Sequence, residues 1–164
     1  MAPNQSATSL RAARYFGALL LIAAGAVHLQ QYFGAGYRGI PVIGPLFVAN
    51  FVIGLALGLA LLAPIERLGS WAAALSAVGG IAFAAGTIIG LEISESGTLF
   101  GFHEHGYRLA IVGSIVFEGA AIVMLGAYLM GLRSERRARR HAGRTLPPAA
   151  PTPDQRVPHM NRLR

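Results

Sequence analysis

The run LAIVGSIVFEGAAIVMLGAYLMGL, Leu109 to Leu132, decides the fold of this chain. Crossing the hydrocarbon core of a bilayer takes about 20 predominantly apolar residues in a helix, and this run supplies them with a single interruption, the carboxylic acid Glu118. Reading outward, three further runs meet the same requirement: Tyr15 to Phe33, Val42 to Ala63 and Leu68 to Leu91. A backbone without water must satisfy its own hydrogen bonds, so runs of this length form helices. The strands of a barrel would be about half as long and would alternate in polarity. Each break carries a stop signal: Gly34, Gly36 and Gly39 with Pro41, then Pro64 with Glu66 and Arg67, then the polar stretch from Glu92 to Arg108.

Composition agrees. Hydrophobic residues make up 54% of the chain and charged residues only 13%, with a mean hydropathy of +0.51. A surface so poor in charge needs a solvent other than water, and the bilayer is that solvent. The expected fold is all-α, a polytopic membrane four-helix bundle. Residues 1–10 form a short N-terminal tail, 11–132 the transmembrane domain, and 133–164 a basic tail expected to be disordered. The absence of cysteine excludes disulfides, thiolate metal sites, thiol nucleophiles and iron–sulfur clusters.

All of the basic residues are arginine, and they set the expected orientation. Arg11, Arg14, Arg67, Arg133, Arg136, Arg137, Arg139 and Arg140 fall on one side, against Arg38 and Arg108 on the other. Cytoplasmic flanks retain positive charge, so both termini are expected in the cytoplasm and the cell inner (plasma) membrane is the expected location. Arg11 and Arg14 ahead of Ala24, Gly25 and Ala26 also fit a cleavable leader, whose removal would leave three helices in the same orientation. The net charge of +7 is concentrated in the C-terminal tail, where several prolines accompany the arginines. Such a tail is suited to anionic lipid headgroups and lacks the folded reader that nucleic acid would require.

Chemistry must sit where polar groups interrupt this pattern. Glu118 lies about 14 Å along the helix from Leu109. A charged carboxylate at mid-span costs about 2.5–3.5 kcal/mol, so this one should face the bundle interior and be protonated or paired. Asn50, at similar depth in the second run, is its expected hydrogen-bond partner; His28 is a third intramembrane candidate. Gly54 with Gly58, and Gly86 with Gly90, have the spacing that lets helices approach closely. On the outer face stand Tyr37, Arg38, Glu92, Glu95, His103, Glu104, His105 and Arg108. His28, His103 and His105 offer imidazoles for zinc, copper or haem, although a pair of histidines one residue apart in a loop is ordinarily solvated; no cofactor is expected. No nucleophile stands beside a base, no glycine loop cradles a phosphate, and no span carries paired carboxylates, which argues against a hydrolase or a nucleotide-driven pump and leaves enzymatic activity open.

FGAGYR (Phe33 to Arg38) and FHEHGYR (Phe102 to Arg108) each lead into a helix carrying its polar residue further on, Asn50 or Glu118. This suggests a two-plus-two hairpin repeat, or else a shared interfacial anchor with Tyr37 and Tyr107 at headgroup depth and Arg38 and Arg108 reaching outward. HLQQYFGAGYRGIPVIGPLFVANF, with TLFGFHEHGYR and FEGAAIVML, resembles a group of small four-helix membrane proteins from actinobacteria over roughly residues 15–132. The resemblance implies this architecture and a pattern containing His28, Tyr37, Arg38, Pro41, Phe47, Asn50 and Glu118. It implies no substrate.

The reading that follows from sequence is an accessory or interaction component of a membrane complex, with a protein partner or a second copy in the bilayer. Its alternatives are a small transporter or proton-coupled channel using Glu118 and Asn50, and outer-face metal or haem binding. Orientation is testable directly: a reporter fused after Arg164 should be active only in the cytoplasm and one inserted near Gly97 only outside. The reverse pattern would invert every assignment of a face.

Overall fold

Each apolar run forms one helix. The computed structural model describes residues 3–64, 69–104, 106 and 108–145. They form α1 (Pro3–Gly34), a single 3-10 turn (Tyr37–Gly39), α2 (Ile43–Leu62), α3 (Ser70–Ser96) and α4 (Leu109–Thr145). All four helices are long and apolar enough to cross a membrane, and the fold is an all-α four-helix bundle. Glu66, Arg67, His105, Tyr107 and the tail beyond Thr145 lie outside the described residues.

The helices close into a ring. Each packs on its chain neighbours, α4 returns to α1, and α1 also touches α3 across one diagonal. Among the described residues α2 and α4, on the other diagonal, do not meet. The tightest seam joins α1 to α2. A Cβ at Gly54 would stand 2.9 Å from the Leu21 carbonyl oxygen, and one at Gly58 would stand 2.8 Å from that of Ala18. Only glycine permits these backbones to come so close. The second expected pair behaves differently: a Cβ at Gly86 would touch nothing within 4 Å, and one at Gly90 only a Leu99 methyl at 3.9 Å. Instead of closing a seam, these glycines leave space.

Below that space the bundle is plugged by Leu21 and Leu125, both fully buried. The δ carbons of both side chains fill the notch left by the missing side chain of Gly80, and Leu125 also fills that of Gly17. Small alanines, among them Ala18, Ala77, Ala84 and Ala121, complete the core. Large apolar side chains point outward instead, including Phe16, Leu75, Ile89, Val116 and Val123. A bundle with its small residues inside and its bulky ones outside has an exterior matched to acyl chains. Trp71 and Tyr15 at one end, and Phe33 and Phe100 at the other, are exposed where the aromatic belts of a spanning protein lie.

Two helices run past their expected ends. α1 starts at Pro3 within the expected 1–10 tail, and α4 continues to Thr145 through the basic stretch expected to be disordered. Hydropathy ends there, but helix propensity does not, because Ala, Arg and Glu are good helix formers. Packing supports the extension as well, with Leu10 seated at the Gly131 notch and a second cavity of about 190 Å³ lying between Ala7, Arg11, Arg14, Tyr128 and Glu135. Arg14, expected in the cytoplasmic flank, is buried with its guanidinium carbon 4.8 Å from the Tyr15 ring centre.

Glycines on different seams should respond oppositely to substitution. Gly54→Leu should lower thermal stability in detergent by about 1–3 kcal/mol, because the nearest atom is backbone and cannot rotate away. Gly126→Ala, where a Cβ meets nothing within 4 Å, should leave stability unchanged or raise it by up to about 1 kcal/mol. Equal effects at both positions would refute the close α1–α2 seam.

Candidate functional site: a capped cavity between the four helices

Between the Leu21 and Leu125 plug and the two loops at the far end lies a cavity of about 390 Å³ to which all four helices contribute. This falls within the range of about 300–1,000 Å³ common for small-molecule sites. Its wall is mainly apolar. The helices all place polar groups on it: His28 and Gln31 from α1, Asn50 from α2, Thr87 and Ser94 from α3, Ser114 and Glu118 from α4.

Glu118 is 2% exposed, as a carboxyl at that depth requires. Its Oε1 accepts a hydrogen bond from the Ser114 hydroxyl at 3.1 Å, one helical turn earlier on the same face. The same oxygen lies 4.0 Å from His28 Nε2. His28 Nδ1 is 2.9 Å from the Ala24 carbonyl oxygen; a carbonyl only accepts, so Nδ1 carries the hydrogen. In the neutral ring Nε2 is then an acceptor turned toward the acid. Thr87 is a further hydrogen-bonding neighbour of the carboxyl, while its own hydroxyl donates to Ala84 O at 2.9 Å.

The expected Asn50–Glu118 hydrogen bond is not made. Asn50 is at the right depth and on the same cavity, but its helix is diagonal to α4, and the ring places α1 and α3 beside the acid instead. Ser114 and Thr87 therefore take the hydrogen-bonding role assigned to Asn50, with His28 Nε2 standing 4.0 Å away. Ser114 and Thr87 were missed in the sequence, although Ser114 stands four residues before Glu118 and so shares its face.

The loop end is closed by a second polar group. Tyr37 is only 4% exposed, and its hydroxyl donates to Glu104 Oε2 while accepting from Arg108 Nη2. Arg108 also donates to Glu104 Oε1 at 3.0 Å. The Tyr37 ring stacks on Phe47 at 4.5 Å and 14° and meets Phe102 edge-on at 5.7 Å. Both Tyr37 and Glu104 reach the cavity wall, so this cluster is its lid.

Local backbone geometry holds the lid in place. Gly36 at φ 82° turns the chain out of α1 into the 3-10 turn that carries Tyr37. Val42 at φ 67° and ψ −51°, with Ile43 N donating to Pro41 O at 2.8 Å, makes a γ-turn into α2. Gly44 then presses on the Tyr37 carbonyl, where a Cβ would come within 2.9 Å. From the other loop, Glu104 N donates to Ser94 O at 3.1 Å and to Ser94 Oγ at 3.2 Å.

The anchor reading of the GYR pairs is therefore corrected. Tyr37 is buried in the bundle and Arg108 folds onto it, so the tyrosine of one motif meets the arginine of the other, while Tyr107 lies outside the described residues. Arg38 and Glu92 are exposed away from the cavity, and Glu95 accepts Gly106 N–H at 3.4 Å, pinning the loop. Glu92 and Glu95 sit on the last turns of α3, where a loop was expected. His103 is exposed and bonds the Gly97 carbonyl, whereas His28 lines the cavity, so those two histidines do not converge. Among the described residues no three His, Asp or Glu side chains gather as metal ligands.

Fold and site together define a four-helix bundle, consistent with a multi-pass integral membrane protein, that holds a polar-centred cavity under a Tyr–Glu–Arg lid. Comparison with family models, with curated proteins and with solved structures finds no match to the chain.

Burial, and next the Glu104 carboxylate, raise the Tyr37 phenol above its ordinary 10.0. Because the folded form holds this proton more tightly, its contribution to stability is complete below pH 10.0 and declines as pH rises above that value. Ultraviolet titration should show one tyrosine ionising after the others, and Tyr37→Phe should abolish that late step. The same variant should cost about 1–3 kcal/mol, since Glu104 loses a buried donor.

Proposed function

We propose that this protein binds a small molecule inside its bundle, with Glu118 and His28 as the pair that exchanges a proton with it. The carrying observation is the convergence of His28, Asn50, Thr87, Ser114 and Glu118 from four helices on one mainly apolar cavity. A polar clamp that only joined helices would fill its space with direct contacts. Here Glu118 Oε1 and His28 Nε2 stand 4.0 Å apart, too far for a hydrogen bond and close enough for one polar atom to bridge. A bridging hydroxyl would accept from the protonated acid and donate to the imidazole. Shifting those hydrogens would pass one proton from Glu118 to His28.

This reading develops the alternative of a small transporter and moves its centre from Asn50 to His28. The accessory role is its competitor; it predicts a stable protein partner and an inert cavity. The rest of the proposal is that the bundle sits in the plasma membrane with both termini cytoplasmic, and that the arginine-rich end of α4 lies near anionic headgroups.

Protein purified in mild detergent should release a small molecule on solvent extraction, detected by mass spectrometry. Glu118→Leu and His28→Phe should each reduce its amount by about tenfold, equivalent to about 1.4 kcal/mol of binding. Identical extracts from the wild type and both folded variants, together with a stoichiometric protein partner, would reject the proposal in favour of the accessory role.

A further inference from the structure

The walls of the cavity show from which side its occupant comes. The loop end is covered by Tyr37 and Glu104, which are 4% and 7% exposed, and the lining stops at the opposite end at Val27, Phe83 and Glu118, with the fully buried Leu21 and Leu125 further along the bundle. The remaining side lies between α2 and α3. On α3, Val78, Ala82, Gly86, Ile89 and Ile93 are all exposed and recur at helical spacing, so they form one outward stripe. Ala82 and Gly86, the small residues in that stripe, also line the cavity. On α2 the same is true of Leu46, which is 37% exposed on the outer surface and also lines the cavity. The outward face of a spanning helix meets acyl chains. The opening bounded by Leu46, Ala82 and Gly86 therefore faces the hydrocarbon.

Resting on the binding role proposed above, we infer that the ligand is a bilayer-borne amphiphile with an apolar chain and a neutral hydroxyl-bearing head, and that it enters sideways between α2 and α3. The geometry separates the two halves of such a molecule. The opening offers only methyl and methylene groups and the bare backbone of Gly86, which suits a chain left partly in the bilayer. The inner end offers an acid and an imidazole acceptor 4.0 Å apart, which suits one oxygen that both accepts and donates. A fixed negative charge on the head would find no free arginine, since Arg108 is taken up by Glu104 and Tyr37 in the lid, and a cation would need Glu118 ionised, removing the proton that the acid donates to a bridging oxygen.

The test uses the full chain in lipid nanodiscs, with three photoreactive diazirine probes: a long-chain alkyl alcohol, its short water-soluble homologue, and the long alkane without the hydroxyl. Labelled peptides are mapped by mass spectrometry. The long alcohol should label segments around Thr87 and Ser114, while the alkane labels only outward positions such as Val123. Gly86→Leu should reduce the internal labelling about tenfold and leave the outward labelling unchanged. A Cβ at Gly86 meets nothing within 4 Å, and an unchanged melting temperature in detergent checks that the variant folds. Leu46→Trp, on the opposite rim, should act in the same direction.

Internal labelling by the short alcohol, unaffected by either substitution, would mean access from water and would overturn the inference while leaving the binding role standing. Internal labelling by the alkane equal to that by the alcohol would overturn the assignment of the head group. If no probe reaches the interior the inference falls, and the solvent extract then decides separately whether the cavity binds anything.

Discussion

The close approach of α1 and α2 along Ala18, Gly25, Gly54 and Gly58 determines where the other helices can go. With no hydrophobic drive between helices in lipid, van der Waals contact between bare backbones is one of the few sources of cohesion, and it operates only where side chains are missing. The contact fixes α1 against α2, and α4 then packs along the other flank of α1. α3 completes the ring, and beside the cavity it sets the small Ala82, Gly86, Thr87 and Gly90 among the larger Phe83 and Leu91. The space it leaves is the cavity, whose wall is therefore a consequence of small residues on α3 as much as of polar ones elsewhere.

Two carboxylates inside this arrangement are handled differently. Glu104 receives a donor set that suits an anion: an arginine and a phenol on its side chain, with its own backbone amide bonded to Ser94. Glu118 receives one serine hydroxyl, a threonine and a distant imidazole nitrogen, which suits a group that keeps or lends its proton. The first closes the bundle and the second is left with unused hydrogen-bonding capacity facing an open volume. This division of roles is why the lid is read as structural and the interior as the place for chemistry.

Helix number and spans were legible in the sequence because the hydrocarbon core imposes a length that hydropathy records directly. The ends were not. α1 and α4 continue where Leu10 meets Gly131, a contact between residues far apart in the chain. Glu118 could be found from depth alone, but its partner could not. Depth along a helix says nothing about which neighbour stands alongside, and the ring order that separates Asn50 from Glu118 is a property of packing. The GYR motifs were visible as a pair, yet their meaning was inverted. A tyrosine before an arginine looks like an interfacial anchor until Gly36, the γ-turn at Val42 and the missing side chain of Gly44 turn Tyr37 inward.

The contact of α1 with α3, and the lack of one between α2 and α4, gives the bundle the cross-section of a rhombus. A rhombus pinned across its short diagonal is rigid while its sides keep their length, so it changes shape only where a side yields, and the most lightly packed side is α2 against α3. Lengthening that side leaves the α1–α2 zipper intact and widens the gap between α2 and α3. Domain-scale motions of this type run on microsecond to millisecond timescales. The α2–α3 side is thus where such a frame gives most easily, and the Tyr37 to Arg108 bridge ties the loop before α2 to the loop before α4 at one end of it.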